Sequence, residues 1–353
     1  MTNIDYFSNK DNFSKYLRIE SECVCPGISE ESLNVTIAIP TFGRADLLRE
    51  AILSCLSQTF NEKYEILVVD NDPGTDSDSA RILHELNDGR ITYYKNKENI
   101  GCLPNFNRCI ELARGRYIIM LHTDDLLDPE FLDIVMPIVG KHPEIDMLVP
   151  GKRILRNGIF EKQKGFPAIS KYLGLADRVV RIAPKDFALY NIVGGPMGIL
   201  MKREYCLELG GFDENTHPVA DYAFWTRYAT AFNSLLLPME LGTYRFIDNI
   251  SSGAGIAEQY LIHEHRLISA LISQNGYGRA MKGYLFEYIH FRARRLSINP
   301  LDIFMKTCGK PYKPGILNRL MFVWVVFVRS ASYLARLISS RIKARRPESL
   351  ASH

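Results

Sequence analysis

Two adjacent carboxylates, Asp124 and Asp125, directly follow the apolar run at residues 117–121. Neighbouring carboxylates repel each other and resist removal from water, so this position after a predicted core strand adds nothing to stability. Paired oxygen ligands suit a hard divalent cation, which commonly bridges to nucleotide phosphates. The alternative is a helix cap, but Asp128, followed by Pro129, fits the start of the next helix better. We therefore predict a cation site at this turn.

Two other polar groups follow predicted strands in the same way. Asp70 ends the apolar run EILVV, and the turn Thr41-Phe42-Gly43-Arg44 follows the apolar run at 35–39. In an open α/β sheet, ligands bind outside the carboxyl ends of the strands, so both groups should share one crevice with Asp124 and Asp125. The alternative for Asp70 is a plain turn role, because DNDPGT is rich in turn-forming residues.

The elements that would position these residues alternate between strand and helix from residue 34 to about 150. Helical spacing is clear in ADLLREAILSCLSQTF and LPNFNRCIELARG, and buried strands are indicated by VTIAI, EILVV and YIIML. This alternation predicts an α/β fold with an open, mostly parallel sheet and helices on both faces. Residues 150–192 show little pattern, a helix is predicted at ADYAFWTRYATAF, two late strands at SLLLP and LGTYRF, and mainly helix from about residue 258.

Composition places the chain among ordinary globular proteins. It has 353 residues, 46% hydrophobic and 24% charged, and its net charge of +3 is too small to indicate nucleic-acid binding. The seven cysteines form no C-x-x-C pair, which argues against a disulfide framework or a zinc site and favours a reduced cytoplasmic protein. The polar N-terminal segment has no apolar core of the kind that export requires, so we expect no signal peptide.

An apolar stretch with a basic end lies near the C-terminus. Leu320 to Val328 form a run of nine apolar residues between Arg319 and Arg329, whereas about twenty are needed to span a bilayer. The stretch continues with further apolar and basic residues to 346, which is typical of a helix lying in an anionic leaflet. The alternatives are a helix docked on the rest of the chain and a helix in a homodimer interface.

Five motifs occur in fixed order along residues 34–252, namely TIAIPTFGR, EILVVDND, NIGCLPNFNRCIELARGRYIIMLHTDD, GGFDE and DYAFW. In this order and spacing they resemble family 2 glycosyltransferases with the GT-A fold. The resemblance implies an open, mostly parallel nucleotide-binding sheet flanked by helices, here with a mainly helical C-terminal extension. It also implies an inverting, hexosyltransferase-type enzyme that uses Mn²⁺ or Mg²⁺ to move a sugar from a nucleoside diphosphate to an acceptor hydroxyl.

The resemblance assigns roles residue by residue. It places Pro40, Thr41, Arg44, Asp70, Asn99 and Asp124 at the nucleotide-sugar, with Asp70 receiving the base, and Asp124 and Asp125 at the metal. Asp221 matches the general base, since an acceptor hydroxyl needs a carboxylate to take its proton. The alternative for Asp221 is a cap on the helix that begins beside it.

The sequence departs from the family pattern at three places. His122 stands where many members have the first acid of the D-x-D motif, and Ala220 replaces the Glu that usually precedes Asp221. YRFIDNISS lacks a histidine after the Tyr-Arg pair, so Asp248 either replaces it as a metal or diphosphate contact or does not, and Arg245 is a further auxiliary candidate.

Two further residues are auxiliary candidates. His217 either lines the acceptor pocket or is a simple turn residue before Pro218. Trp225 either offers a ring face to a sugar or, as the better interpretation, packs in the core of its helix.

We divide the chain into a lead-in segment at 1–33, a GT-A domain at 34–255 with donor half 34–150 and acceptor half 151–255, and a helical C-terminal region at 256–353. The leading hypothesis is a glycosyltransferase of surface-polysaccharide or O-antigen assembly, with UDP the favoured donor nucleotide and a polyprenyl-diphosphate-linked saccharide as acceptor. It would be cytoplasmic, and peripheral on the inner membrane face if the last helix lies in the leaflet. The alternatives are a non-catalytic saccharide-binding relative, which His122 and Ala220 permit, and a sugar nucleotidyltransferase, which the single glycine of PTFGRAD disfavours.

Overall fold

The structure is a computed structural model that describes residues 4–27, 33–74, 77–163, 166–247, 254–276, 279–312 and 315–345. Strands and helices alternate through the first half, as the sequence predicts, and the last part is helical. The strands are β1 (Ser21–Cys25), β2 (Leu33–Thr41), β3 (Glu65–Asp70), β4 (Ile91–Asn96), β5 (Gly115–Met120), β6 (Leu126–Leu127), β7 (Met147–Arg156), β8 (Ile159–Phe160), β9 (Val180–Arg181), β10 (Ile199–Lys202) and β11 (Ser234–Phe246).

The helices cover the sheet and then form the C-terminal region. Short 3₁₀ turns lie at Ser14–Tyr16 and Glu214–Thr216. The α-helices are α1 (Ala45–Leu56), α2 (Asp78–Leu86), α3 (Cys102–Leu112), α4 (Phe131–Lys141), α5 (Phe166–Tyr172), α6 (Pro184–Phe187), α7 (Arg203–Glu208), α8 (Ala220–Ala231), α9 (Ala254–Gln274), α10 (Arg279–Arg295), α11 (Pro300–Cys308) and α12 (Ile316–Ser339).

Across the described residues the strands join in one sheet with the order β1-β4-β3-β2-β5-β10-β7-β11-β6, while β8 pairs with β7 and β9 with β11. The pairs β2–β3, β3–β4 and β2–β5 are parallel, which confirms the parallel sheet predicted for this part of the chain. β10 joins the two halves by antiparallel pairing with both β5 and β7. The sheet as a whole is therefore mixed, with its parallel core at the predicted donor half.

Both faces of β2 are buried, which explains its nearly continuous apolar run. Val35, Ile37 and Ile39 pack with α1 and α4 on one face of the sheet, while Ala38 packs with α3 and the later helices on the other. Parallel strands covered by helices on both sides have no polar face to show, so their sequence is apolar throughout.

The lead-in segment is part of the sheet. Its strand β1 pairs antiparallel with β4, and the Asn12 backbone N–H donates to the Gly210 carbonyl at 3.1 Å. Tyr6 is 4% exposed and lies in the same core cluster as α8 and α9. The segment that the sequence left without assigned structure thus contributes an edge strand and core contacts.

Two local predictions are wrong. SLLLP and LGTYRF belong to one long strand, β11, which stays paired with β7 through register shifts at Leu237/Glu240 and Glu240/Thr243. Asp128 does not cap α4, because that helix begins at Phe131 and the Asp128 carboxylate instead accepts a 2.9 Å hydrogen bond from Arg153. All seven cysteines are free thiols, as predicted, although only three are buried.

Candidate active site

The acidic turn follows β5 directly. The Asp125 backbone N–H donates to the His122 carbonyl at 3.1 Å, which folds the turn so that three side chains converge. The ligand atoms of His122, Asp124 and Asp125 all lie within 4.8 Å of one another. A turn at the carboxyl end of a central parallel strand thus presents an imidazole and two carboxylates to one point.

Asp125 is fully buried, yet only half of its carboxylate is hydrogen-bonded. Oδ1 accepts the Arg245 backbone N–H at 2.9 Å, whereas within the described chain Asp125 Oδ2 and His122 Nε2 are buried without a hydrogen-bond partner. Burial raises the pKa of Asp125 and lowers the pKa of His122. A buried carboxylate oxygen without a donor is costly, and a cation held by Asp124 and Asp125, with His122 within reach, would remove that cost. The residues therefore fit a divalent metal ion.

Arginines from two other elements hold the turn. Arg44 Nη1 lies 3.2 Å from Asp124 Oδ2, and Arg44 itself adopts a left-handed conformation with φ 54° just before α1. Arg245, on β11, donates from Nε to the Asp124 carbonyl and from Nη1 to Glu50 on α1. The structure thus brings the predicted residues Arg44 and Arg245 to the acidic turn.

The ends of β2 and β3 lie beside this turn. The Pro40 carbonyl accepts the Thr123 hydroxyl at 3.0 Å, and Thr41 pairs with Asp70 across the two parallel strands. Asn71, next to Asp70, donates to the Asn99 side chain at 2.7 Å. The predicted donor-site residues are therefore gathered along one edge of the sheet.

The Asp70 carboxylate is fully buried and already hydrogen-bonded within the protein. It accepts the Tyr93 hydroxyl at 3.0 Å, the Ser77 hydroxyl at 3.3 Å and the Asp72 backbone N–H at 3.0 Å. Burial raises the pKa of this carboxyl group. These contacts match the turn-forming alternative, and binding of a nucleotide base by Asp70 stays a prediction.

Asp221 lies in the first turn of α8, whose N-cap is Val219, so Asp221 is not the cap. Its Oδ1 accepts the Tyr222 backbone N–H at 2.7 Å. Burial raises the pKa of Asp221 to about 6, while the Tyr222 N–H, the positive charge of Lys152 and a hydrogen bond with Asn191 act to lower the pKa. A carboxylate with a pKa near 6 is ionised at neutral pH and still basic enough to take a proton.

Two residues that the sequence did not single out, Lys152 and Tyr244, link the acidic turn to Asp221. The Lys152 ammonium lies near both Asp125 and Asp221, whose charges oppose the lowering of its pKa by burial. Burial and the charges of Asp125, Asp124 and Asp221 raise the pKa of Tyr244 to about 12. Lys152 Nζ lies 5.4 Å from the Tyr244 ring centroid. Asp221 and the acidic turn therefore act electrostatically on the same two side chains.

The loop at 191–195 is fixed by hydrogen bonds that its backbone carbonyl groups accept. Lys152 Nζ donates to the Gly195 carbonyl at 2.9 Å and the Val193 carbonyl at 3.4 Å, and Trp225 Nε1 donates to the Gly194 carbonyl at 3.0 Å. Gly194 has φ 73°, and a Cβ at Gly195 would lie 3.4 Å from the Tyr244 ring. The glycine pair thus allows the backbone to approach Lys152 and Tyr244.

The structure places the auxiliary candidates in different environments. Trp225 is fully buried, with its edge against Phe212, so its ring face is not available to a sugar and the core interpretation is confirmed. His217 is exposed in the turn before α8. Asp248 lies outside the described residues.

A cavity of about 330 Å³ adjoins Arg245 and is lined by Leu155, Asn157, Gly158, Phe246 and Ile247.

Comparison with known proteins agrees with this geometry. Residues 36–191 match the model of Glycosyl transferase family 2. An uncharacterized glycosyltransferase of Rickettsia conorii is 29% identical over 194 residues, which cover 54% of this chain and 30% of that protein. Escherichia coli WcaA, whose name refers to colanic acid biosynthesis, is 33% identical over 102 residues, 29% of this chain and 36% of that protein. The chain thus spans about a third of the length of these relatives.

Solved structures share the fold. Staphylococcus aureus TarS 1–349 in complex with UDP-GlcNAc has a TM-score of 0.57 at 15% identity, over 86% of this chain and 92% of that one. The mannosyltransferase PcManGT of Pyrobaculum calidifontis, in complex with GDP-Man and Mn²⁺, has a TM-score of 0.51 at 15% identity, over 92% and 90%. The chain therefore has the GT-A fold, and its residues 36–191 form a region that matches Glycosyl transferase family 2.

Proposed function

We propose that the chain is an inverting glycosyltransferase that moves a sugar from a nucleoside diphosphate to a hydroxyl of a saccharide acceptor in surface-polysaccharide assembly, such as that of an O-antigen. The observation that carries the proposal is that the charges of both Asp125 and Asp221 act on the same two side chains, Lys152 and Tyr244. UDP is the favoured nucleotide, consistent with the UDP-GlcNAc complex of a protein of the same fold.

The residues would divide the reaction between donor and acceptor. Asp124 and Asp125 would hold Mn²⁺ or Mg²⁺, which when bound offsets the negative charge of the diphosphate. Asp221 accepts the proton of the acceptor hydroxyl as its oxygen bonds to the anomeric carbon, and the bond from that carbon to the diphosphate oxygen breaks. Attack from the face opposite the leaving nucleoside diphosphate inverts the anomeric centre.

The acceptor is proposed to be a saccharide carried on a polyprenyl diphosphate. The name of WcaA, in colanic acid biosynthesis, supports a polysaccharide acceptor, since WcaA shares 33% identity with this chain over 102 residues. The alternative, a non-catalytic relative, can be distinguished from this proposal because it would bind a saccharide without transferring a sugar. Retention of Asp124, Asp125 and Asp221 around one space favours the enzyme.

Asp221→Asn tests the base assignment. We expect this variant to bind the nucleotide sugar as tightly as the wild type, because Asn keeps the shape of Asp221, and to lose transfer by about 10²-fold or more, because Asn takes no proton. Donor binding is measured by calorimetry with UDP-, GDP- and dTDP-sugars in the presence of Mn²⁺, and transfer by release of nucleoside diphosphate. The exposed Asp302→Asn serves as the matched control.

Two results would contradict the proposal. Retained transfer by Asp221→Asn would reject Asp221 as the base. Metal-dependent donor binding by the wild type without turnover on any saccharide acceptor would favour the saccharide-binding alternative.

A further inference from the structure

The C-terminal helix α12 is bound to the rest of the chain along one face. Tyr333 and Leu337 are buried with Val180 against β9, and Val325 is buried with Leu189 and Tyr284. Arg336 forms a 3.0 Å ion pair with Asp186. These contacts extend over most of the helix, so its inner face is fixed on the protein.

The outer face of α12 is an exposed apolar stripe. Ile316, Leu320, Val323, Trp324 and Phe327 recur three or four positions apart, as one face of a helix requires. Trp324 is 59% exposed and Phe327 70% exposed. The exposed apolar residues of α12, which we call the outer stripe, are Ile316, Leu317, Leu320, Val323, Trp324, Val326, Phe327, Val328 and Ile338. A continuous apolar surface of this kind on a folded protein marks an interaction site.

The neighbouring helix α5 extends this surface. α5 contacts α12, and at its end Tyr172 is 89% exposed and Leu173 46% exposed. Apolar side chains from two separate parts of the sequence thus lie on adjoining helices. The surface is therefore larger than the outer stripe alone.

The charge around the outer stripe identifies its partner. Residues 316–346 contain seven Arg or Lys residues and neither Asp nor Glu. Arg319 is exposed near the start of the helix, and Arg341, Lys343 and Arg345 are exposed after its end. An apolar helix face with basic residues at both ends and an aromatic residue between them complements an anionic lipid surface, where headgroups are negative and the layer below is apolar.

The helix lies along the protein and not across a bilayer. Within the described chain, α12 has the length and apolar composition needed to span a membrane. A spanning helix would have to leave the protein, which would expose Tyr333 and Leu337 and break the ion pair of Arg336 with Asp186. With its inner face retained on the protein, only the outer stripe can enter lipid.

The inner face of α12 reaches the active-site loop. Arg329 donates to the Tyr190 hydroxyl and lies 3.8 Å from the centroid of its ring. Tyr190 precedes Asn191, whose side chain acts to lower the pKa of Asp221. The helix that carries the outer stripe therefore packs against the loop that contacts the proposed base.

We infer that the outer stripe of α12, together with the exposed end of α5, binds the surface of an anionic lipid bilayer and holds the acceptor side of the active site next to it. The part of this inference that concerns the acceptor rests on the proposed function, because a lipid-linked saccharide is presented at such a surface. Lipid binding itself rests on the exposed apolar and basic residues alone.

Vesicle binding by the full chain tests the inference. We expect the wild type to co-sediment with phosphatidylglycerol-containing vesicles, to bind phosphatidylcholine vesicles much more weakly, and to be released by salt. Trp324 provides a direct readout, because the second tryptophan, Trp225, is fully buried. Its fluorescence should shift to shorter wavelength on vesicle binding, and Trp324→Phe should remove the shift without removing binding.

A triple variant, Leu320→Asn, Trp324→Asn and Phe327→Asn, should lower vesicle partitioning by at least about tenfold, since burial of apolar side chains drives interfacial binding. The matched control substitutes Leu17 and Val24, which are 69% and 53% exposed on the lead-in segment, with Asn. Circular dichroism checks that both variants are folded. Release of nucleoside diphosphate with a water-soluble acceptor should be unchanged in the triple variant.

Several outcomes would overturn the inference. A wild type that is a dimer in solution by light scattering, together with a triple variant that is a monomer, would assign the outer stripe to a second copy of the chain. Absence of binding to anionic vesicles, or equal binding by the triple variant, would also reject it. Vesicle binding by a protein that turns over no nucleotide sugar would reject the proposed function and leave the lipid surface established.

Discussion

At the scale of single residues, the environment of Asp221 sets the pH range of the reaction. Burial raises its pKa to about 6, and the group must be ionised to accept a proton. As pH falls through about 6 the carboxylate becomes protonated and the base is lost, whereas above about 7 it is almost fully ionised. The raised pKa of Asp221 therefore predicts that activity falls at acidic pH. It predicts no loss of activity from this group at neutral pH.

We expect kcat/KM for transfer to fall about tenfold for each pH unit below about 6. Initial rates are measured from pH 5 to 8 at fixed metal concentration. Donor binding is followed over the same range, because loss of metal binding at low pH would weaken donor binding while protonation of Asp221 would not. A rate that stays constant down to pH 5 would contradict the assignment.

Lys152 is predicted to move this limit. Its positive charge lowers the pKa of Asp221, so Lys152→Met should raise that pKa and shift the acidic limb to higher pH by up to about one unit. Lys152→Arg keeps the charge and should leave the limb near its wild-type position. Loss of the hydrogen bonds from Lys152 to Val193 and Gly195 would lower the rate at every pH. The electrostatic effect would instead shift the acidic limb of the pH–rate profile, so the profiles of the two variants separate the two effects. An unshifted limb in Lys152→Met would contradict the prediction.

At the scale of elements, local sequence patterns predicted strands and helices. They did not predict contacts between residues that are distant in the sequence. The strands β2 to β5 and the helix α1 were predictable, because burial on both faces or on one stripe leaves a local pattern. Lys152 was missed because its partners at 193–195 and 221 are brought together only by the fold. Asp128 was misassigned as a cap because its actual partner, Arg153, lies 25 residues away.

The lead-in segment offers a test at this scale through Gly210. Gly210 has φ 76°, and a Cβ there would lie 1.9 Å from the Lys10 carbonyl oxygen. Gly210→Ala should therefore destabilise the protein by the cost of a left-handed alanine, about 1 kcal/mol, plus about 1–3 kcal/mol for overpacking. Gly158 has φ 75° with nothing within 4 Å of a Cβ, so Gly158→Ala isolates the first cost. Denaturant unfolding measures both variants, and equal losses would show that the lead-in segment is not packed on this turn.

At the scale of the whole molecule, the C-terminal helices share a core with the catalytic half. Leu261 and Ile268 of α9, Ile289 of α10 and Phe304 of α11 are fully buried in the cluster that contains Ala38 of β2. The side chain of Asn191 acts to lower the pKa of both Tyr260 on α9 and Asp221 on α8. The boundary at 255/256 therefore separates two sequence patterns, but residues on both sides of it pack into one core.

A chain ending at residue 255 should accordingly fail to fold as a stable catalytic domain. Full burial of one large apolar side chain contributes about 1.5–3 kcal/mol, so loss of Leu261, Ile268, Ile289 and Phe304 alone removes about 6–12 kcal/mol, while a whole domain has a net stability of about 5–15 kcal/mol. We expect the 1–255 chain to show no cooperative thermal transition by circular dichroism and no metal-dependent donor binding by calorimetry. A chain ending at residue 345, which keeps all four helices, is the control and should melt like the full chain. Cooperative unfolding and donor binding by the 1–255 chain would show that the helical region is an independent addition to the GT-A fold.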